Sequence, residues 1–260
     1  MCATCGCGSG ETRIVPLNIG TDMDFKPMSC GHAAHAPGLA RSRIVQIEQD
    51  ILSKNDALAA RNRAAFAAAG HFVLNIVSSP GSGKTTLLER TIRDLSATFP
   101  IAVIEGDQET SNDAERIKAA GAQSIQINTG RGCHLDADMV AKAYDELRPS
   151  PASLLFIENV GNLVCPSSFD LGEQARIVLF SITEGEDKPL KYPDIFASAD
   201  IVLVSKLDLQ PYLQCDLELI EENIRRVNRK ARIMHVSARS GEGLEQWYGW
   251  LGNSARQRVA

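Results

Sequence analysis

No stretch of this 260-residue sequence approaches the roughly 20 consecutive apolar residues that span a bilayer, so no membrane-crossing helix is expected. The N-terminus has neither the basic region nor the apolar core of a signal peptide, and a cytoplasmic location is expected. Positive charge is not in excess. The 27 Lys and Arg against 32 Asp and Glu give a formal net charge of −5, and no stretch gathers a basic patch, which argues against nucleic acid as a partner. No internal repeat is visible. Nor is there an even set of cysteines to pair: the seven lie at positions 2, 5, 7, 30, 133, 165 and 215. An odd count without an export signal speaks against a disulfide framework and for metal binding or reactivity. Cys215, in a probable helical stretch, reads as a small buried hydrophobe.

What is present begins with Cys2, Cys5 and Cys7, three of the first seven residues. Thiolates favour soft metals, and mixed amine, amide and thiolate sets suit square-planar nickel. Residues 1–40, rich in Gly, Pro, Ala, Met and Cys, read as a flexible N-terminal metal-binding tail and linker. Cys30, His32 and His35 form a looser group inside it that linker composition explains equally well. From Arg41 to about Ala69, the spacing of Ile44, Ile47, Ile51 and Leu58 predicts an amphipathic helix, stopped at Gly70. It opens the second region, residues 41–260.

After Gly70, short apolar runs alternate with helical stretches. Phe72–Val77, Ile101–Ile104, Ser124–Ile127, Leu154–Ile157, Ile177–Ile182, Ile201–Val204 and Ile233–Val236 read as buried strands. Thr85–Ser96, Asp113–Ala120, Leu135–Leu147 and Leu217–Asn228 read as helices. The alternation predicts an α/β fold, a mostly parallel sheet with helices on both faces.

The first strand runs into Ser78-Ser79-Pro80-Gly81-Ser82-Gly83-Lys84-Thr85-Thr86. A glycine-rich loop between strand and helix cradles phosphates with backbone N–H groups and the helix's positive end. Lys84 would hold the β- and γ-phosphates, and Thr85 a Mg²⁺ ion. Ser78 stands where the strict pattern has glycine. Glu158 ends another strand and is a candidate for Mg²⁺, while Gly161 would offer its N–H to a γ-phosphate. Asp107 and Asp113 are each candidates for the metal shell or the attacking water. For Asp113, a charge at a helix N-terminus is an equal explanation.

Ser205-Lys206-Leu207-Asp208 and Ser237-Ala238-Arg239 follow the last two strands. In guanine-specific proteins the first loop reads Asn-Lys-x-Asp, so Ser205 is a departure. A carboxylate at Asp208 meets guanine's donors and finds no equivalent in adenine. Lys206 would cover the plane of the base, and Ala238 would offer a backbone N–H, which makes GTP the favoured nucleotide.

Gly132-Cys133-His134-Leu135 precedes a helix, where a thiolate is stabilised, and Cys165 follows Gly161 by four residues. Together they predict a second metal site. Three ligands are too few for a closed four-coordinate site, so pairing across a two-fold axis is expected.

The cysteine head, Glu48–Asp56, Ser79–Thr86, Gly132–Leu135 and Glu158–Pro166 together resemble the HypB family. Its members are deviant P-loop GTPases that help insert nickel into [NiFe]-hydrogenase. The resemblance implies GTP hydrolysis, a nucleotide-dependent homodimer, and two metal sites. One is a terminal nickel site. The other is a site for nickel or Zn²⁺ at Cys133, His134 and Cys165. Implied partners are a HypA-like nickel chaperone and the hydrogenase large-subunit precursor. Only His32 and His35 stand in the linker, where some members carry nickel-storing histidine tracts. Alternatives are a urease-type nickel GTPase, a P-loop small-molecule kinase, and a metal-storage protein.

Overall fold

The computed structural model describes residues 41–107, 112–130 and 132–256, with 41–44 and 112–114 described by their backbone alone. Cys2, Cys5, Cys7, Cys30, His32, His35 and the side chain of Asp113 lie outside the described residues. The chain divides into two compact units, Met1–Lys54 and Asn55–Ala260. Among the described residues, no helix is long and apolar enough to cross a membrane.

The boundary between the units falls within the first helix, α1, Arg41–Ala68. In the first unit, Gln46 Nε2 donates to Asp50 Oδ1 at 2.9 Å, one turn on. The apolar stripe expected on this helix is not the buried one. Ile47 and Ile51 are exposed, and burial falls instead on Asn55, Ala59, Asn62 and Phe66. That face repeats every three to four residues, as a helix requires. Two of its members are asparagines, which an apolar count cannot find. Their amides hold backbone distant in sequence: Asn55 Nδ2 donates to the Asp170 carbonyl at 2.8 Å, and Asn62 Nδ2 to the Ala137 carbonyl at 2.8 Å. Gly70, with φ +72°, ends the helix, a conformation glycine adopts without a Cβ penalty.

Seven parallel strands follow: β1 Phe72–Ser78, β2 Ile101–Asp107, β3 Gln123–Asn128, β4 Leu154–Glu158, β5 Ala175–Ser181, β6 Ile201–Ser205 and β7 Arg232–His235. They are ordered β3-β2-β4-β1-β5-β6-β7. Helices α2 Lys84–Leu95, α3 Asn112–Ala120, α4 Ala137–Leu147 and α7 Leu217–Val227 fall where the sequence placed them. Short α5 Lys188–Lys191 and α6 Pro193–Ala197, and the C-terminal α8 Leu244–Arg256, were not anticipated. In α8, Leu244, Trp247 and Leu251 are buried, and Trp247 Nε1 donates to Thr91 Oγ1 of α2 at 3.1 Å.

β1 is buried along its whole length. Leu74 and Ile76 join Leu88, Ile92 and Trp247 on one face. On the other face, Val73 joins Phe66, Ile157 and Leu135, and Val77 joins Phe180 and Phe196. The alternation is the pleat of a central strand covered on both sides. β3 lies at the sheet edge and is only partly buried.

His71 joins three elements just before β1. Its Nδ1 accepts from the Ser153 N–H at 3.2 Å, and its Nε2 lies 3.1 Å from the Tyr144 hydroxyl. Burial holds its pKa below the ordinary histidine value. The neutral ring is therefore favoured in the folded chain. Its contribution to stability is present above the unfolded-state pKa and is lost as pH falls through the folded one. Urea unfolding of wild type and His71→Gln at pH 7.5 and 5.5 should show the larger acid loss in wild type. Equal losses would place the acid sensitivity elsewhere.

Candidate nucleotide and metal sites

Parallel pairing delivers the carboxyl ends of the strands to one edge, and two adjoining cavities open there. The first, about 450 Å³, is lined by the loop from Pro80 to Thr86 with Glu105, Asp107, Arg116, Glu158 and Gly161. The second, about 300 Å³, shares Gly83 and Thr86 with it and adds Lys206, Asp208, Ala238 and Arg239. This is the order a nucleotide needs: phosphates beside α2, base beyond them.

Local hydrogen bonds shape the phosphate loop. Gly81 (φ +74°) and Gly83 (φ +98°) take left-handed conformations that turn it. Gly83 caps α2 without a side-chain hydrogen bond, so the first N–H groups of the helix stay directed at the cavity. Lys84 Nζ donates to Ser78 Oγ at 2.9 Å, and Ser78 Oγ donates to the Ser79 carbonyl at 2.6 Å. The residue that departs from the glycine pattern thus anchors the phosphate lysine. Ser82 Oγ lies 2.6 Å from Glu184 Oε1 and 2.9 Å from the Ser79 carbonyl, two acceptors for its one proton.

Thr85 Oγ1 donates to Glu158 Oε1 at 2.8 Å. Glu158 is in register with Glu105 across β4 and β2, and both carboxylates line the phosphate cavity together with Asp107. A hydroxyl, three carboxylates and room for phosphate oxygens form an all-oxygen donor set that suits Mg²⁺. Gly161 lies against the phosphate loop, where a Cβ would stand 3.0 Å from Pro80 Cα.

At the base cavity, Asp208 Oδ1 accepts from Ser237 Oγ at 2.6 Å. Ser237 is fully buried and holds the carboxylate, whereas Ala238 lines the cavity. Lys206, at φ +62°, extends across Gly83 and donates to the Gly81 carbonyl at 2.6 Å. Ser205 Oγ donates to the Ser82 carbonyl at 2.9 Å. A short hydroxyl thus makes the tie from β6 to the phosphate loop.

Cys133, His134 and Cys165 form a triad whose ligand atoms all lie within 4.8 Å of one another. The two Sγ atoms are 2.9 Å apart, and Cys133 Sγ is 3.7 Å from His134 Nδ1. The His134 ring lies against Phe169, centroids 4.1 Å apart. Two sulfurs and an imidazole suit Zn²⁺ or nickel. The expected helix-end stabilisation of the Cys133 thiolate does not hold. Asp136, not Cys133, caps α4 and accepts from Met139 N–H at 2.8 Å. Burial, reinforced by the Cys165 thiol, pushes the Cys133 thiol up to about 12. A metal bound there must therefore displace a proton.

Glu105, Arg116, Glu184, Asn159 and Asn162 were not singled out from the sequence. Only Glu184 had a local signal. Ser181 and Glu184 form a capping box, whose S-x-x-E pattern is readable. For the rest, register and proximity supply the information.

Ser205→Ala should remove one tie to the phosphate loop, worth about 1 kcal/mol, and weaken nucleotide binding roughly fivefold. Titration with a fluorescent nucleotide would measure it. Unchanged affinity would mean the loop keeps its shape without Ser205.

The family model for the CobW/HypB/UreG nucleotide-binding domain matches residues 72–235. The chain is 52% identical over 291 residues to the hydrogenase maturation factor HypB of Azotobacter chroococcum mcd 1, covering 100% of this chain and 93% of that protein. It is 48% identical to HypB of Escherichia coli K12, covering 96% and 98% of the two chains. Among solved structures, HypB from Helicobacter pylori in complex with nickel matches with a TM-score of 0.74 and 41% identity, covering 78% of this chain and 96% of that one. HypB from Archaeoglobus fulgidus matches with a TM-score of 0.73 and 37% identity, covering 78% and 99%. Similarity of this extent, on a chain with this phosphate loop, settles the family: the protein belongs to the HypB hydrogenase maturation factors.

Proposed function

We propose that the chain is a GTP-hydrolysing nickel metallochaperone that serves [NiFe]-hydrogenase maturation as a homodimer. The observation that carries this reading is the S₂N triad, with ligand atoms within 4.8 Å, built on segments that adjoin the phosphate cavity.

Guanine would occupy the cavity at Asp208, whose carboxylate is held for it by Ser237 and whose roof is the Lys206 stem. Lys84 would leave Ser78 for the β- and γ-phosphate oxygens. Thr85, Glu158 and Asp107 would hold Mg²⁺, which when bound neutralises charge across the phosphates. Gly161, against Pro80, would report the γ-phosphate through its N–H. GTP binding would then order Asp107 and Glu158–Gly161 and close a dimer in which two triads complete each other's coordination. Hydrolysis would undo that geometry and release nickel. Cys2, Cys5 and Cys7 would capture the ion beforehand.

The partners would be a small HypA-like nickel chaperone and the precursor of the hydrogenase large subunit. A second recipient is favoured by one relative, the hydrogenase/urease maturation factor HypB of Helicobacter pylori 26695, 41% identical over 225 residues.

Asp208→Ala removes charged acceptors worth about 3 kcal/mol. It should weaken GTP roughly a hundredfold and leave ATP nearly unchanged in competition titrations. Parallel loss of both would refute guanine selection. In a hydrogenase-producing host lacking its own maturation factor, Cys133→Ala and Cys165→Ala chains should restore at least tenfold less activity at limiting nickel, since even residues behind the ligands carry roughly that much. Full restoration would remove the triad from the pathway.

A further inference from the structure

Asn75 is a fully buried polar side chain in the central strand β1, on the same face as Val73 and Val77. Its partners trace a continuous path. Its Oδ1 accepts from Asn159 Nδ2 at 3.3 Å, and its Nδ2 donates to Glu173 Oε1 at 3.1 Å. The same carboxylate oxygen accepts from Arg176 Nη2 at 2.9 Å. Arg176 in turn donates to the carbonyls of Ser167, at 2.9 Å, and Phe169, at 2.8 Å. One end of this path therefore holds the segment that carries Cys165 and the ring packed on His134.

The other end holds the opposite side of the triad. Asn159 Oδ1 accepts from the Leu135 N–H at 3.2 Å, and Asn162 Nδ2 donates to the Cys133 carbonyl at 3.3 Å. Leu135 cannot slide independently, because its side chain is wedged over Gly106, where an added Cβ would lie 2.8 Å from Leu135 Cγ. Asn159 adjoins Glu158, Asn162 adjoins Gly161, and Gly106 lies between Glu105 and Asp107. Two of the three attachments of the Cys133–Leu135 segment, Gly106 and Asn159, thus line the phosphate cavity themselves, and Asn162 follows Gly161, which lines it too.

The thiol geometry shows what such attachments control. The two sulfurs are 2.9 Å apart, whereas a tetrahedral ion holding two thiolates at about 2.3 Å needs them roughly 3.7 Å apart. Loading a tetrahedral ion needs the two sulfurs to move apart by most of an ångström, through side-chain rotation or shifts of the two segments, and the attachments above set how far the segments can shift. We infer that Asn159 and Asn162 are positioning residues that carry nucleotide occupancy to the metal triad by fixing the Cys133–Leu135 segment to the Glu158–Gly161 segment. This rests on the reading that nucleotide state governs metal release.

The test uses the full chain with Cys2, Cys5 and Cys7 changed to alanine, so that the triad is read without the tail. Ni²⁺ is titrated against a chromogenic chelator in saturating GTPγS-Mg²⁺ and in GDP-Mg²⁺. In this parent the two affinities should differ by at least about fivefold, the low end of ordinary coupling. Asn162→Ala should bring their ratio to within about twofold of one, while melting temperature and nucleotide affinity stay near the parent's. Asn159→Ala should lower the ratio as well. If that variant does not fold, Asn162→Ala decides alone. A parent-like ratio in Asn162→Ala overturns the inference and leaves the functional reading standing. Equal affinities in the parent overturn both.

Discussion

Every strand of the sheet runs the same way, and that constraint places the chemistry. A parallel ladder requires each crossover to return the chain to the opposite edge before the next strand begins. All seven carboxyl ends therefore meet at one edge. The phosphate loop leaves β1, Glu158 ends β4 beside Glu105 of β2, and Ser205 and Val236 introduce the base loops after β6 and β7. Central β1, between β4 and β5, puts the phosphate loop in the middle of this edge. The base cavity and the acidic wall then lie to either side of it.

The same arrangement explains why so polar a core is tolerated. Asn75, Asn159, Glu173 and Arg176 are all withdrawn from water, and an unpaired polar group there would cost several kcal/mol. Each instead meets a partner, and the last donors end on backbone carbonyls that no strand or helix satisfies. A buried network of this kind specifies geometry more than it adds stability. Apolar replacements could fill the volume, but they would leave the loops bearing Cys165 and Leu135 without a fixed distance between them. Asn55 and Asn62 do comparable work from α1, holding Ala137 and the backbone at Asp170 and Leu171.

Legibility from sequence follows the same physics. The inner strands were readable because a doubly covered parallel strand must be almost wholly apolar, as in Leu154–Ile157, whereas the end strands β3 and β7 showed only short apolar stretches. The phosphate loop was readable because phosphate approach demands Gly81, Gly83 and Lys84 at fixed spacing, and the triad because cysteines have few other uses in such a chain. What escaped notice was set by partners distant in sequence. The buried face of α1 is half asparagine, so its apolar positions pointed the wrong way. Glu105 gains its place from register with Glu158, which no local pattern encodes. The raised Cys133 thiol reflects burial beside Cys165, not its nearness to a helix.

That raised thiol bears on the division of labour between the two cysteine groups. Burial raises the Cys133 thiol, so an ion at the triad must displace a proton. Under the proposed function the triad would hold an ion while bound nucleotide keeps its segments in place. Cys2, Cys5 and Cys7 have a different character in sequence, being closely spaced with glycine and far from any nucleotide motif. Under the proposed function, capture by the terminal group and conditional retention by the triad would be complementary chemistries. The nucleotide cavity would be placed to impose that condition, because Gly106 and Asn159, two attachments of the triad, line it and Asn162 adjoins Gly161, which lines it as well.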